Sequence, residues 1–171
     1  PGEGPTVLLL TNAALTLHEP RDGGVRRRIR IDTGALSLRA ANVDGRPGDE
    51  ALVGGQDGTV LCIDPVTGKV LWRFNAASCV RAAPVAADAD GDGRTDVIVG
   101  DEAGGLHLLD GATGVEKWKF KGGEEFHSAA AVGDVDGDGH PDVVAGNDDD
   151  HIYALDGRSG RLLWSYQAGD D

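Results

Sequence analysis

Methionine is absent, cysteine occurs twice and aromatic residues make up 5% of the chain. Two cysteines, Cys62 and Cys79, neither define a disulfide framework nor supply zinc-ligand spacing. Cys62 falls in an apolar strand pattern and is expected to be a core thiol. Positive charge is also scarce, with 16 Lys and Arg against 29 Asp and Glu and a net charge of −13. That balance excludes a nucleic-acid surface, which needs clustered cations. The basic run "RRRIR", Arg26 to Arg30, reads as the solvated face of an edge strand. No stretch approaches the roughly eighteen apolar residues of a membrane span, so no membrane insertion is expected. The early "TVLLLT" is too short and badly flanked for a signal peptide. Without an initiator Met, the chain is expected to be a mature or excised segment of a longer protein. A 3.6-residue apolar period is missing too, which predicts essentially no helix.

Glycine is plentiful, at 27 residues, and the chain repeats itself. The segments "ANVDGRPGDEALVGGQDGTVLCIDPVTGKVLWRF" from Ala41, "ADADGDGRTDVIVGDEAGGLHLLDGATGVEKWKF" from Ala87 and "GDVDGDGHPDVVAGNDDDHIYALDGRSGRLLWSY" from Gly133 align without gaps. The period is 87 − 41 = 133 − 87 = 46 residues, which suits one four-stranded propeller blade. Within a unit, a small apolar strand ("AAPVAA", "SAAAVG") precedes a continuous buried run ("DVIVG", "DVVAG"). An alternating strand follows, and then a fourth that carries the aromatics. Strands three and four are joined by "DPVTG", "DGATG" and "DGRSG", hairpin turns in which Asp bonds backbone amides and the final Gly takes positive φ. Trp72, Trp118 and Trp164 share one phase and are expected to pack between adjacent sheets.

The N-terminal "TVLLLTNAALTLHEPRDGGVRRRIR" fits strands two to four of a preceding unit, with Arg27 where the others have Trp. The predicted fold is therefore all-β: propeller blades of four antiparallel strands, about four in number. Three are complete and one lacks its inner strand, giving roughly fifteen strands. The blades fall at about residues 5–32, 33–77, 78–123 and 124–168. Such an arc exposes strand edges and blade flanks. Either it belongs to a larger ring, or a homo-oligomer completes the ring, or four blades close under strain.

Between strands one and two lie two loops reading D-x-D-x-D-G-x-x-D: Asp88, Asp90, Asp92 and Asp96, then Asp134, Asp136, Asp138 and Asp142. Like charges this dense are tolerated when alternating oxygens converge on one hard cation. Gly93 and Gly139 permit the turn after the third Asp, and a backbone carbonyl from Arg94 or His140 can complete the set. Calcium fits best, since six to eight oxygens tolerate a flexible cage. An EF-hand would need Glu at position twelve, where Val99 and Ala145 stand in strands. Two calcium sites are thus expected. A degenerate third at Asn42, Asp44 and Glu50 is expected to be weak or empty, because Arg46 and Pro47 interrupt it and Arg46 can pair with the neighbouring acids.

At these residues "DADGDGRTDVIVG" and "DVDGDGHPDVVAG" resemble FG-GAP repeats, the calcium-loop blades of integrin α-subunits and many bacterial surface proteins. "GGLHLLDGATGVEKWKF" and "HIYALDGRSGRLLWSY" resemble the repeat of pyrroloquinoline-quinone dehydrogenases and related non-enzymatic propellers. The second resemblance implies an eight-bladed ring and, in the enzymes, an axial quinone. The vicinal disulfide that accompanies the quinone is absent, so no cofactor site is carried over.

The reading that follows is a non-catalytic, calcium-binding interaction or sensor module with a protein or glycan partner. Its expected place is extracellular, at the cell surface or periplasmic, where calcium is abundant. Alternatives are a carbohydrate-binding lectin- or lyase-type propeller and a quinone-dependent enzyme. Arg81, Phe126 and His127 are candidates for a ligand contact near the propeller axis, against the plainer role of inter-blade connection.

Overall fold

The computed structural model describes residues 7–169. Residues 5 and 6 of the expected first blade, and the two C-terminal residues, lie outside the described residues. Among the described residues fifteen strands form four antiparallel sheets in simple up-and-down order. The first sheet has three strands, β1 (Val7–Thr11), β2 (Ala14–His18) and β3 (Val25–Arg30). The second contains β4 (Ala35–Ala41), β5 (Glu50–Gly55), β6 (Thr59–Asp64) and β7 (Lys69–Asn75). The third contains β8 (Val85–Ala87), β9 (Asp96–Gly100), β10 (Gly105–Asp110) and β11 (Glu116–Lys121). The last contains β12 (Ala131–Gly133), β13 (Asp142–Asn147), β14 (His151–Asp156) and β15 (Leu162–Gln167). We call these sheets blades 1 to 4. No described residue is helical.

Successive residues of a strand point to opposite faces, so each inner blade must offer apolar side chains in both directions. Blades 1 and 2 meet through Leu15, Ala51, Val53, Leu61 and Ile63. The other face of blade 2 supplies Leu52, Val60, Cys62 and Trp72 against Val97, Val99 and Leu109 of blade 3. Ile98, Leu106, Leu108 and Trp118 then meet Val143, Ala145 and Leu155 of blade 4. This is why β9 is buried at every position although its neighbours in sequence are charged loops. Cys62 is fully buried, and burial, with Glu50 and Asp44 nearby, pushes its thiol up to about 12.

The tryptophans lock blades together. The Trp72 indole donates to Gly111 O at 2.8 Å, and Trp118 donates to Gly157 O at 2.7 Å, each in the hairpin turn of the next blade. The ring lies on the last glycine of that turn. A Cβ added at Gly114 would stand 2.6 Å from the Trp72 ring, and one at Gly160 2.7 Å from the Trp118 ring. These glycines serve both a left-handed φ (+70° and +68°) and the close approach. In blade 1, Arg27 takes the tryptophan's place and donates from Nη1 to Thr67 O at 3.2 Å. The expectation that all three tryptophans pack between sheets fails at one: Trp72 and Trp118 are 7% and 8% exposed, but Trp164 is 41% exposed. Trp164 lies on the outer face of blade 4, which no described sheet covers.

A β-bulge recurs just before this position in every blade. Cys62 opposes Trp72 while Ile63 opposes Val70, which leaves Leu71 as the extra residue. By the same shift the extra residue is Lys117 in blade 3, Leu163 in blade 4 and Arg26 in blade 1. A bulged residue is re-aimed relative to its strand, and this decides the electrostatics of one acidic loop.

Candidate metal centre

Both D-x-D-x-D-G-x-x-D loops run from the short inner strand of a blade to the next strand, β8 to β9 and β12 to β13. Their backbones are folded by the aspartates themselves. Asp88 accepts from the amides of Asp92 (Oδ1, 3.1 Å) and Gly93 (Oδ2, 2.9 Å), and Asp134 accepts from Gly137 (Oδ1, 2.7 Å) and Gly139 (Oδ2, 3.0 Å). Asp90 and Asp92 each accept one amide through Oδ1, as do Asp136 and Asp138. The ninth residue closes the loop, with Asp96 Oδ2 accepting Ala89 N at 3.3 Å and Asp142 Oδ2 accepting Val135 N at 2.9 Å. Gly93 and Gly139 adopt φ of +84° and +87°, the turn that the pattern required.

What remains after these bonds is one free oxygen on each of three carboxylates per loop. In blade 3 those oxygens surround the Lys117 ammonium. Its Nζ lies 2.7 Å from Asp90 Oδ2, 2.7 Å from Asp96 Oδ1 and 3.4 Å from Asp92 Oδ2. The bulge at Lys117 turns the side chain toward the loop. Burial works against the charged amine, but Asp90 and Asp96 outweigh it and hold the Lys117 pKa above the ordinary lysine value. Asp96, fully buried beside Asp90, is nevertheless raised. Desolvation dominates its carboxyl, and the lysine contact offsets only part of it.

The blade 4 loop has the same oxygens and no such lysine. Leu163 occupies the bulge, and among the described residues no Lys or Arg makes an ion pair with Asp134, Asp136, Asp138 or Asp142. Oxygens of Asp134, Asp136 and Asp138 lie within 4.8 Å of one another, as do those of Asp88, Asp90 and Asp96 in blade 3. The half-buried His140 imidazole lies beside Gly91 of the blade 3 loop, and its Nδ1 accepts from Arg158 Nη2 at 2.8 Å. Asp142 is not in the converging blade 4 set, nor Asp92 in that of blade 3; three all-oxygen, anionic donors still suit a hard divalent cation, and the ammonium beside Asp90, Asp92 and Asp96 shows the charge that such a loop attracts.

Blade 2 holds its loop differently. Arg46 Nη1 lies 3.6 Å from Asp44 Oδ2, Asn42 Nδ2 donates to the carbonyls of Arg46 and Gly48, and Glu50 Oε2 accepts Val43 N at 3.0 Å. Burial raises the Glu50 carboxyl. Here a guanidinium and a side-chain amide do the cross-linking.

The residues considered for an axial ligand are spoken for. Phe126 is 1% exposed and packs against Tyr153 at a ring separation of 6.3 Å. Arg81 pairs with Glu102 at 2.7 Å, and His127 with Asp148 at 2.8 Å, across the exposed connection between blades. Sequence reasoning missed a knot in blade 3, where buried Asp101 Oδ2 meets buried His107 Nε2 at 3.2 Å and His107 Nδ1 meets the exposed Glu116 at 2.6 Å. Burial acts to raise the Asp101 carboxyl, but the His107 bond and the Gly105 amide outweigh it and its pKa is lowered. A carboxylate depressed by folding contributes stability that is complete above the ordinary aspartate range and is lost as pH falls through its folded value. Asp101→Asn should therefore flatten the loss of stability below about pH 4, read as urea midpoints from pH 6 to pH 3. An unchanged acid slope would contradict this role.

The sheets and loops together define a partial β-propeller whose blades carry acidic, FG-GAP-type loops. Residues 88–145 match the FG-GAP-like repeat family, a span that opens on Asp88 and takes in the whole second loop. No curated protein matches the chain. Among solved structures it resembles BamB from Moraxella catarrhalis, with a TM-score of 0.67 and 18% identity over 98% of this chain and 50% of that one. It also resembles the V. cholerae biofilm matrix protein Bap1, with a TM-score of 0.71 and 17% identity over 95% of this chain and 26% of that one. The chain thus spans half the length of the first and about a quarter of the second.

Proposed function

We propose that the chain is a non-catalytic interaction and sensor module whose blade 4 loop takes calcium. The carrying observation is the contrast between the loops: the oxygens equivalent to those that hold the Lys117 ammonium in blade 3 pair with no Lys or Arg among the described residues in blade 4. Asp134, Asp136, Asp138 and Asp142, with the His140 carbonyl, would hold the ion. In blade 3, Asp88, Asp90, Asp92, Asp96 and the Arg94 carbonyl form a second, weaker site in which the metal competes with Lys117. Bound calcium relieves repulsion among the aspartates and fixes the rim that a protein partner meets. Exposed oxygen sites of this kind suit the calcium levels outside cells, which supports reading the module as extracellular, at the cell surface or periplasmic; the fold is shared with a biofilm matrix protein.

Calorimetric titration with calcium and thermal melts test this. One dominant binding heat is expected, with a chelator-reversible rise in stability of about 2.7 kcal/mol at a hundred times the dissociation constant. Asp136→Asn with Asp138→Asn should abolish that heat. Identical melts in chelator and in millimolar calcium would sink the proposal. A glycan partner is the second reading, favoured by the exposed Trp164 and Tyr166. Calcium-dependent glycan-array binding lost in Trp164→Ala would support it.

A further inference from the structure

We infer that two copies of this chain join head to tail, the Trp164 indole of one locking onto the Glu19–Gly23 turn of the other. The inference rests on reading the chain as an interaction module and names one partner for its open flank. Inside the molecule the same joint is made three times. A five-residue turn closed by a glycine amide on the first residue's carbonyl receives the strand of the preceding blade. Trp72 enters the Asp110–Gly114 turn, Trp118 the Asp156–Gly160 turn and Arg27 the Asp64–Gly68 turn.

Blade 1 contains a fourth such turn. Gly23 N donates to Glu19 O at 2.9 Å, matching the 2.8 Å closures at Gly68, Gly114 and Gly160, and Gly23 has a φ of +71°. The space over Gly23 is open, with nothing within 4 Å of where a Cβ would stand. At the opposite end, Trp164, Tyr166 and Ile152 occupy the phases of Trp118, Phe120 and Leu106, yet are 41%, 63% and 37% exposed. One end of the arc therefore presents the key and the other the receptor.

The facing surfaces agree in polarity and charge. Val7 and Leu9, 44% and 51% exposed, alternate with Leu8 and Leu10, which pack toward blade 2, and so present apolar side chains outward from blade 1. The middle residue of the blade 4 turn, Arg158, donates to Asp90 O at 3.3 Å, reaching the acidic loop of the preceding blade. Arg21 holds the same place in the Glu19–Gly23 turn and is exposed. Head-to-tail docking brings Arg21 to the Asp134–Asp142 loop of the other copy. The contact is heterologous, and two of them related by a twofold axis would close eight sheets into a ring.

The test is sedimentation velocity with Trp fluorescence on the whole chain. At tens of micromolar the chain should sediment as a dimer, with its tryptophan emission shifting red on dilution. Trp164→Ala should weaken association at least tenfold while keeping the calcium heat, so loss of this joint and loss of the metal reading are told apart. Arg21→Glu with Gly23→Val damages the receptor but leaves the key. Each variant alone should be monomeric, and an equimolar mixture should recover one joint as a heterodimer. Circular dichroism confirms that both are folded. A chain that stays monomeric at 100 μM, a dimer indifferent to Trp164→Ala, a mixture that does not associate, or a monomer that uses Trp164 for glycan would each overturn the inference.

Discussion

Lys117→Leu should raise the calcium affinity of the blade 3 loop by more than tenfold and make the fold depend on the metal. The ammonium touches Asp90 and Asp96 at 2.7 Å, so in the parent protein a divalent ion must displace a tethered cation before it can bind. Leucine is what blade 4 carries at the same bulge, at Leu163, so the substitution suits the strand. Removing one partner of a buried pair leaves the other uncompensated, at a cost of roughly 3–5 kcal/mol. Asp96 is fully buried but Asp92 opens to solvent, which places the loss toward the low end of that range. In chelator the variant should melt below the parent, and in millimolar calcium most of the difference should vanish. Calorimetry should then register two binding heats of similar affinity. A variant as stable as the parent in chelator, with unchanged affinity, would show that the lysine is a bystander.

The lysine also marks where sequence reasoning stopped. The loops were legible because their chemistry is local: alternating aspartates and one left-handed glycine fold the same way wherever they occur. The blades were legible because three units repeat in register, and the hairpin turns because Asp and Gly stand at fixed offsets. Nothing in "EKWKF" announces the bulge that re-aims Lys117. The signal available was comparison, since the equivalent residues Leu71 and Leu163 are apolar. Trp164 could not be told from Trp118 for a different reason. Identical side chains in identical phases differ in burial only through the sheet that faces them, and a neighbour is not encoded in the strand it covers. Phe126 failed similarly, its exposure being decided by Tyr153 and Gly100 in other strands. The His107–Asp101–Glu116 knot joins a turn and two strands, and no short motif records it.

The joint between blades 3 and 4 should carry a large share of the stability, and Trp118→Ala should cost about 3–5 kcal/mol. The indole fills the space above Gly160 and donates to a buried carbonyl at Gly157, so truncation opens a cavity and strips an acceptor of its donor. For a chain of this size that corresponds to a fall in melting temperature of roughly 6–20 °C. Trp118→Phe loses the N–H and about a third of the ring atoms but keeps an aromatic ring at the turn, and should cost less than alanine, about 1–3 kcal/mol. Gly160→Ala attacks the joint from the other side, forcing a Cβ to 2.7 Å from the ring at a φ of +68°, and should resemble Trp118→Ala in severity. Trp164→Ala, measured on dilute monomer, removes the same side chain from the same strand phase but no covered contact, and should cost less than about 1 kcal/mol. Equal losses at Trp118 and Trp164 would mean that strand packing, and not the blade-to-blade joint, is what the tryptophan stabilises.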